Sequence, residues 1–182
     1  MTTETIISLA YLLATETPAT VANAAEKPQR RRRSSAAVQC QYIMKRTVHA
    51  VADCDDAMTA ARIMRDEDVG VLPVCDTRGS VVGMLTDRDL AIRLCAADGR
   101  AATTTVGTLM TRGAVTCRPT HSIAQIERMM QSHRLTRILV TDEAGRPLGI
   151  VSLSDIAQYD RPARVGRTIQ VVAERKYAPE RP

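Results

Sequence analysis

Apolar residues recur three and four positions apart in two stretches of the chain, and two short apolar runs follow each stretch. Spacing of three and four places apolar side chains on one face of a helix, whereas short runs bounded by turn residues indicate strands. Each predicted helix begins after a turn that offers good N-cap residues, at 53–56 and at 119–122. The apolar positions of the two helices are Ala57, Ala60, Ala61 and Met64 in the first, and Ile123, Ile126, Met129 and Met130 in the second.

Each predicted helix leads into a hairpin and then into a second helix. Turns that end in glycine separate the two strands of each hairpin, at 76–79 and at 142–145, and such turns favour a tight reversal. The hairpin strands are predicted to be GVLPV (70–74) with SVVGML, and RILVT (137–141) with PLGIVS. A further short strand is expected ahead of each first helix, at 48–51 and at 114–117. Each half of the chain therefore predicts the order βαββα.

The two halves are copies of one another at a separation of 66 residues. Residues 43–91 align without a gap to residues 109–157, and ten of the 49 aligned positions are identical. Such self-similarity indicates an internal duplication. A unit of about 60 residues buries too little apolar surface to be stable alone. We therefore predict an α/β (α+β) fold of two tandem βαββα repeats, packed sheet to sheet with pseudo-two-fold symmetry.

The chain divides into four predicted parts: a disordered basic segment (1–40), repeat 1 (41–102), repeat 2 (103–160) and a basic C-terminal tail (161–182). The formal net charge of +5 comes from the two ends of the chain. Basic residues outnumber acidic ones by five to three in 1–38 and by six to two in 161–182, against 14 to 15 in 39–160. We expect the C-terminal tail to be loose, apart from one short strand at 168–172.

The chemistry-bearing residues give no sign of catalysis or of a metal site. The five cysteines lie 14 to 22 residues apart, a spacing that matches no zinc motif, so we predict reduced and buried thiols. No nucleophile lies at a suitable spacing from a base, and no Walker or Rossmann glycine pattern is present, so we predict no catalytic residue and no enzyme. The apolar run 6–14 follows no basic residue and is too short to span a membrane. We therefore expect a cytoplasmic protein.

Two matching segments, GMLTDRDLA at 83–91 and GIVSLSDIA at 149–157, carry the candidate chemistry. In each, a hydroxyl residue precedes an aspartate by three positions, as Thr86 precedes Asp89. One interpretation is a capping box at the start of a helix. A second is a nucleotide site, because a helix start attracts phosphate and an aspartate accepts hydrogen bonds from ribose hydroxyls. The residues alone leave both interpretations open.

Both repeats resemble cystathionine-beta-synthase (CBS) domains, and the pair resembles a small stand-alone Bateman module. The resemblance covers about residues 41–160 and is carried by IMKR and LMTR, by VGVLPVCD with GSVVGMLTDRDLA, and by LTRILVTD with RPLGIVSLSDIA. It implies a regulatory homodimer that acts in signal transduction through a partner protein. It also implies two clefts that hold an adenosyl ligand, namely AMP, ADP, ATP, NAD or S-adenosylmethionine, and no catalytic cofactor.

The resemblance also implies which residues bind the ligand. Asp89 and Asp155 would hold ribose, while Thr86 with Arg88 in one cleft and Ser152 in the other would hold phosphate. Tyr42, Val69 and Val71 would complete the first cleft, and Thr108, Leu135 and Arg137 would complete the second. The apolar members of this set would also be apolar in any packed strand, so a purely structural role stays open. Because Arg88 has no counterpart in the second repeat, we expect the first cleft to be the stronger phosphate site.

The basic ends of the chain offer an alternative function. The run of four arginines at 30–33 and the basic tail carry enough positive charge to contact nucleic acid. We expect neither membrane binding nor a metal site. The alternative prediction is therefore a nucleic-acid-binding protein that acts through its tails.

Overall fold

The computed structural model describes residues 38–174, and each repeat forms a sheet within this range. The apolar run 6–14 and the arginines at 30–33 lie outside the described residues, so the predictions made for them stay predictions. Among residues 38–174, no helix combines the length and the apolar character needed to cross a membrane.

The first repeat forms the predicted order of elements. After a 3₁₀ turn at Cys40–Tyr42, its elements are β1 (Val51–Ala52), α1 (Ala57–Asp66), β2 (Val71–Cys75), β3 (Val81–Thr86) and the helical segment α2 (87–97). Segment α2 starts as an α-helix, is π-helical over Leu90–Leu94 and ends as a 3₁₀ turn. Helix α1 begins where predicted, because the Asp56 side chain accepts a hydrogen bond from the Thr59 N–H at 2.7 Å.

The second repeat follows the same order, with two short elements before it and one further helix after it. Its elements are α3 (Val106–Leu109), β4 (Thr111–Arg112), β5 (Thr116–Cys117), α4 (Ile123–His133), β6 (Arg137–Thr141), β7 (Pro147–Ser152), α5 (Leu153–Ile156) and α6 (Pro162–Ala173). Helix α6 shows that the predicted strand at 168–172 is wrong. Pro162 occupies the first turn, and the buried face is formed by Val165, Thr168 and Val172. Helical spacing of these side chains outweighs the local β-preference of the sequence TIQVV.

The two sheets are mixed, and the three strands of the second match the first three strands of the first. The first has the order β1-β2-β3-β4 and the second the order β5-β6-β7. In both, a short parallel pair precedes the antiparallel hairpin. Val71 lies opposite Thr86 in the first hairpin, and Arg137 lies opposite Ser152 in the second, which keeps the 66-residue separation seen in the sequence. The predicted fold class is confirmed.

The beginning of each repeat pairs with the sheet of the other repeat. We name residues 38–46 and 104–112 the opening segments. Strand β4 belongs to the second opening segment, yet it pairs with β3 of the first repeat. Lys45 in the first opening segment forms an antiparallel bridge to Ile150 in β7, with backbone hydrogen bonds of 3.0 and 2.9 Å. The repeats therefore exchange their opening segments.

The exchange also completes both apolar cores. The first opening segment contributes Cys40 and Ile43 to the core of the second repeat. The second contributes Val106, Leu109 and Met110 to the core of the first repeat. Because each core contains buried side chains from both repeats, neither repeat has a complete core without the other.

Gly83 and Gly149 are the places where the exchanged segments come closest to the strands. A Cβ atom on Gly83 would lie 2.6 Å from the sulfur of Met110 and 2.7 Å from the carbonyl oxygen of Thr111. A Cβ atom on Gly149 would lie 2.7 Å from the sulfur of Met44 and 2.8 Å from the carbonyl oxygen of Lys45. Both glycines are buried in mid-strand. Their repetition in the sequence therefore reflects close backbone approach.

The cysteines only partly match the prediction of buried thiols. All five are free. Cys40 and Cys117 are buried with their sulfur atoms 3.8 Å apart, and burial raises the pKa of the partly buried Cys75 to about 11. Cys54 and Cys95 are exposed, so the prediction is wrong for these two.

Candidate functional site

The first candidate corner is the junction between β3 and α2. The Asp89 N–H donates to the Thr86 hydroxyl oxygen at 3.1 Å, so the hydroxyl caps the helix. In return, Asp89 Oδ2 accepts from the Thr86 N–H at 2.9 Å and from the Thr86 hydroxyl at 2.6 Å. The capping interpretation is therefore confirmed at this corner, and the capping box fixes one oxygen of the carboxylate.

The second corner, between β7 and α5, repeats this arrangement. The Asp155 N–H donates to the Ser152 hydroxyl at 3.3 Å, and Asp155 Oδ2 accepts from the Ser152 N–H at 2.9 Å. The Ser152 hydroxyl also contacts the same carboxylate oxygen and lies 2.7 Å from the hydroxyl of Ser154. Asp155 is only 7% exposed. A carboxylate this buried is held by its hydrogen bonds in one orientation.

Four of the remaining predicted site residues lie next to these corners. Val71 and Arg137 begin β2 and β6, directly across the hairpins from the N-cap residues. Val69 and Leu135 lie two positions earlier and are half-buried. The loops that follow them bond to the corners, since Gly70 and Thr136 accept backbone hydrogen bonds from residues 87 and 153 at 3.2 and 3.0 Å. The fold thus places these four residues beside the corners predicted for them, and their role in ligand binding stays a prediction.

Tyr42 and Thr108 were grouped with the wrong corners. Both belong to opening segments, and the prediction kept each with its own repeat. The second opening segment instead pairs with β3, which ends at Thr86. The first opening segment pairs with β7, which ends at Ser152. Thr108 therefore belongs with the first corner and Tyr42 with the second. Both side chains are exposed, Tyr42 to 61%.

The two predicted arginines lie at the surface. Arg88 is exposed in the first turn of α2, and Arg137 is exposed at the start of β6. A guanidinium is weakly hydrated and matches phosphate with two parallel hydrogen bonds. Their positions are compatible with phosphate binding at the open side of each corner.

Arg93 is a residue of the first corner that the sequence analysis missed. Its guanidinium lies 3.4 Å from Asp89 Oδ1 and donates to the Leu109 carbonyl at 2.6 Å and to the Thr111 hydroxyl at 3.1 Å. The side chain therefore joins the corner of the first repeat to the exchanged segment of the second. The signal in the sequence was its position four residues after Asp89 in a helix, where opposite charges meet.

A scan of family models finds two CBS domains in this chain, at residues 40–95 and 106–161. Hypoxic response protein 1 of Mycobacterium tuberculosis is 35% identical over 117 residues, which cover 64% of this chain and 81% of that protein.

Solved structures give the same result. The crystal structure of hypoxic response protein I with two coordinated zinc ions is similar with a TM-score of 0.62 and 33% identity, and it covers 68% of this chain and 100% of its own. The CBS domain pair of protein MJ0100, solved with 5′-methylthioadenosine and S-adenosyl-L-methionine, has a TM-score of 0.58 and 24% identity and covers 66% and 94%. In this chain, residues 38–174 contain no group of three His, Cys, Asp or Glu side chains placed to hold a metal ion.

Proposed function

Since this chain belongs to the CBS-domain family, we propose that it is a non-enzymatic regulatory protein that senses an adenosyl ligand and signals to a partner protein. The ligand class is AMP, ADP, ATP, NAD or S-adenosylmethionine, bound in one or both clefts. The observation that carries the proposal is the pair of matched corners. Each joins a hydroxyl N-cap to an aspartate held in a fixed orientation.

The chemistry of each corner suits a nucleoside. A carboxylate with one oxygen fixed by a capping box presents its other oxygen in a defined direction, and ribose hydroxyls are hydrogen-bond donors that match it. The half-buried Val69 and Leu135 offer apolar surface to a base, and the exposed Arg88 and Arg137 offer charge to phosphate. These features together favour a ligand with a base, a ribose and an anionic group.

We regroup the ligand-binding residues according to the exchanged segments. The first cleft comprises Val69, Val71, Thr86, Arg88, Asp89 and Thr108, and the second comprises Leu135, Arg137, Ser152, Asp155 and Tyr42. Ligand in either cleft touches both repeats in this grouping. Binding can then change the packing between the repeats, provided the ligand favours one arrangement over another.

The proposal includes a cytoplasmic homodimer that acts on a separate partner protein. We propose the dimer on the family resemblance alone, and size-exclusion chromatography with light scattering tests it. Nucleic-acid binding through the basic tails is the alternative prediction, and it rests mainly on residues outside 38–174. It would appear as salt-dependent binding that is lost when both ends are removed.

Calorimetric titration of the full chain with each of the five ligands tests the proposal. We expect at least one to bind wild type and to lose binding in the Asp89→Ala/Asp155→Ala variant. The matched control is Asp66→Ala, because Asp66 is an exposed aspartate at the end of α1. Thermal melting of each variant separates lost binding from lost folding. No binding by wild type, or equal binding by the double variant, contradicts the proposal.

A further inference from the structure

The two corner aspartates differ in how many partners they have. In both, Oδ2 is engaged by the capping residue, Thr86 or Ser152. Oδ1 of Asp89 also pairs with Arg93 at 3.4 Å. Within residues 38–174, Oδ1 of Asp155 has no hydrogen-bond or ion-pair partner. The second corner therefore presents an available acceptor, whereas the acceptor of the first is already engaged.

The difference follows from one position in the duplicated sequence. The residue that lies 66 positions after Arg93 is Tyr159. A phenol carries no charge at neutral pH and cannot form the ion pair that a guanidinium forms. Arg93 is also held by two contacts besides Asp89, the Leu109 carbonyl and the Thr111 hydroxyl, and its side chain is 43% exposed. It is thus positioned on the carboxylate by the exchanged segment.

We propose that Arg93 makes the two clefts unequal, so that an adenosyl ligand occupies the second cleft, at Asp155, before the first. The inference rests on the proposed function. Ribose hydroxyls must donate to the aspartate, and in the first cleft they compete with Arg93 for Oδ1. This order is the reverse of the one expected from Arg88 alone.

Displacement of Arg93 has a second consequence. The same guanidinium binds the backbone at Leu109 and the side chain of Thr111, both in the segment exchanged from the second repeat. A ligand in the first cleft therefore acts on a contact between the repeats, whereas the second cleft has no equivalent arginine. The first cleft therefore has a contact that couples occupancy to the packing of the repeats, and this contact has no equivalent at the second cleft.

Calorimetric titration of the full chain with AMP and with adenosine tests the inference. In wild type we expect two affinities, with the tighter site lost in Asp155→Ala and the weaker lost in Asp89→Ala. In the Asp155→Ala background, Arg93→Gln should tighten the remaining site about two- to fivefold for adenosine, the size expected for a half-exposed ion pair. Arg62→Gln, an exposed arginine of α1, is the matched control and should leave the affinity unchanged.

Hydrogen–deuterium exchange on wild type gives a second readout that needs no variant. At substoichiometric AMP, protection should appear in the peptide around 149–157 before the peptide around 83–93. Protection in the opposite order, or a tighter site that depends on Asp89, overturns the inference while the proposed function stands. Weaker binding of AMP but not of adenosine in Arg93→Gln also overturns it, because Arg93 would then hold phosphate. No binding of any adenosyl ligand overturns both.

Discussion

The first and second repeats share the backbone hydrogen bonds that hold the opening segments, but the side chains around their corners differ. Val106 N–H donates to the Asp55 carbonyl at 2.8 Å, and Cys40 N–H donates to the His121 carbonyl at 2.7 Å, so the same bond recurs at a 66-residue separation. The contacts that exchange the opening segments have thus been kept in both copies. The side chains around the corners have not, since Arg93 faces one aspartate and not the other.

Helix α6 is the largest difference between the repeats. It packs on α4 of the second repeat, where the Gln131 side chain donates to the Thr168 hydroxyl at 2.8 Å. Residues 96–107, which occupy the equivalent positions of the first repeat, form the end of α2, the connection between the repeats and the start of α3. Backbone contacts needed by both cores are therefore the same in the two repeats, while the outer faces of the repeats differ. Substitutions at the shared contacts and at the differing faces test this division.

The largest expected effect is that of filling the glycine contacts. Gly83→Ala and Gly149→Ala should each lower the free energy of unfolding by about 1 to 3 kcal/mol, because the added methyl meets a methionine sulfur and a backbone oxygen within 2.8 Å. The two losses should be similar, since the contacts are similar. Urea denaturation measures both.

Gly166→Ala is the matched control for these substitutions. An added Cβ on Gly166 in α6 meets nothing within 4 Å, so alanine should be neutral or stabilise the helix by up to about 1 kcal/mol. A large loss at only one of Gly83 and Gly149 would contradict the equivalence of the two exchanges.

Much of the fold was predictable because its signals are local and occur twice. Helical spacing, glycine turns and N-cap residues located α1, α4 and the two hairpins, and the duplication supported each. Exchange of the opening segments was not predictable from spacing, because a short strand pairs equally well with either of two similar sheets. The misplacement of Tyr42 and Thr108 follows from that single ambiguity.

The candidate site was predictable only as far as its repeated part. The capping boxes at Thr86 and Ser152 recur, and their geometry is as expected. Arg93 lies just beyond the last aligned position of the duplication, and its partners Leu109 and Thr111 come from the other repeat. The four-residue spacing indicates the pair with Asp89, but the contacts with Leu109 and Thr111 depend on the exchange, so the sequence pattern did not indicate them.

The next largest effect concerns a carboxyl group that α6 buries. Glu127 in α4 is 3% exposed, and its Oε1 is buried without a hydrogen-bond partner. Burial and the neighbouring Asp160, whose side chain is 2% exposed, raise the pKa of Glu127 to about 7, and Arg164 and Thr168 oppose the rise. The first repeat has Ala61 at the equivalent position. Only the second repeat therefore contains this titrating group.

The sign of the resulting pH dependence is fixed by the raised pKa. The folded chain keeps the proton up to about pH 7, while the unfolded chain loses it near the ordinary pKa of 4.5. The contribution of protonated Glu127 to the free energy of unfolding is fully present below pH 4.5 and is lost as the pH rises to about 7. Glu127→Gln should therefore be neutral at pH 4.5 and should stabilise the fold by about 1 to 3 kcal/mol at pH 8.

Thermal and urea denaturation between pH 4.5 and 8 measure this difference. Glu143→Gln serves as the control, because Glu143 is an exposed glutamate in the turn of the second hairpin. It should show no pH-dependent gain. Equal pH dependence in Glu127→Gln and wild type would show that α6 does not bury a titrating carboxyl.

A smaller effect is expected from the capping residues. Thr86→Ala and Ser152→Ala should each cost about 1 kcal/mol of unfolding free energy, because each removes the cap of a helix. The loss should be larger for Ser152, since Asp155 is more buried and Asp89 keeps Arg93 as a partner. Urea denaturation of both variants gives the difference.

Thr105→Ala is the control for the capping variants. Thr105 occupies the N-cap position of α3, but its side chain makes no capping hydrogen bond. Its replacement should change the unfolding free energy by less than about 0.5 kcal/mol. A loss equal to that of Ser152→Ala would mean that the hydroxyl bonds at the corners contribute nothing to stability.

The smallest effect is expected at the two hairpin turns, which have the same backbone hydrogen bonds but different side chains. Arg146 pairs with Asp142 at 2.8 Å in the second turn, whereas the equivalent Ser80 of the first turn donates its hydroxyl to the Ala144 carbonyl at 2.7 Å. Arg146 is largely exposed, so Arg146→Gln should cost at most about 1 kcal/mol at low salt and nearly nothing at 1 M salt. Ser80→Ala should show a similarly small loss at both salt concentrations, because no charge is involved. Urea denaturation at the two salt concentrations separates these cases. A loss at Arg146 that persists in high salt would mean that this side chain acts through packing, and the two turns would then differ in shape as well as in charge.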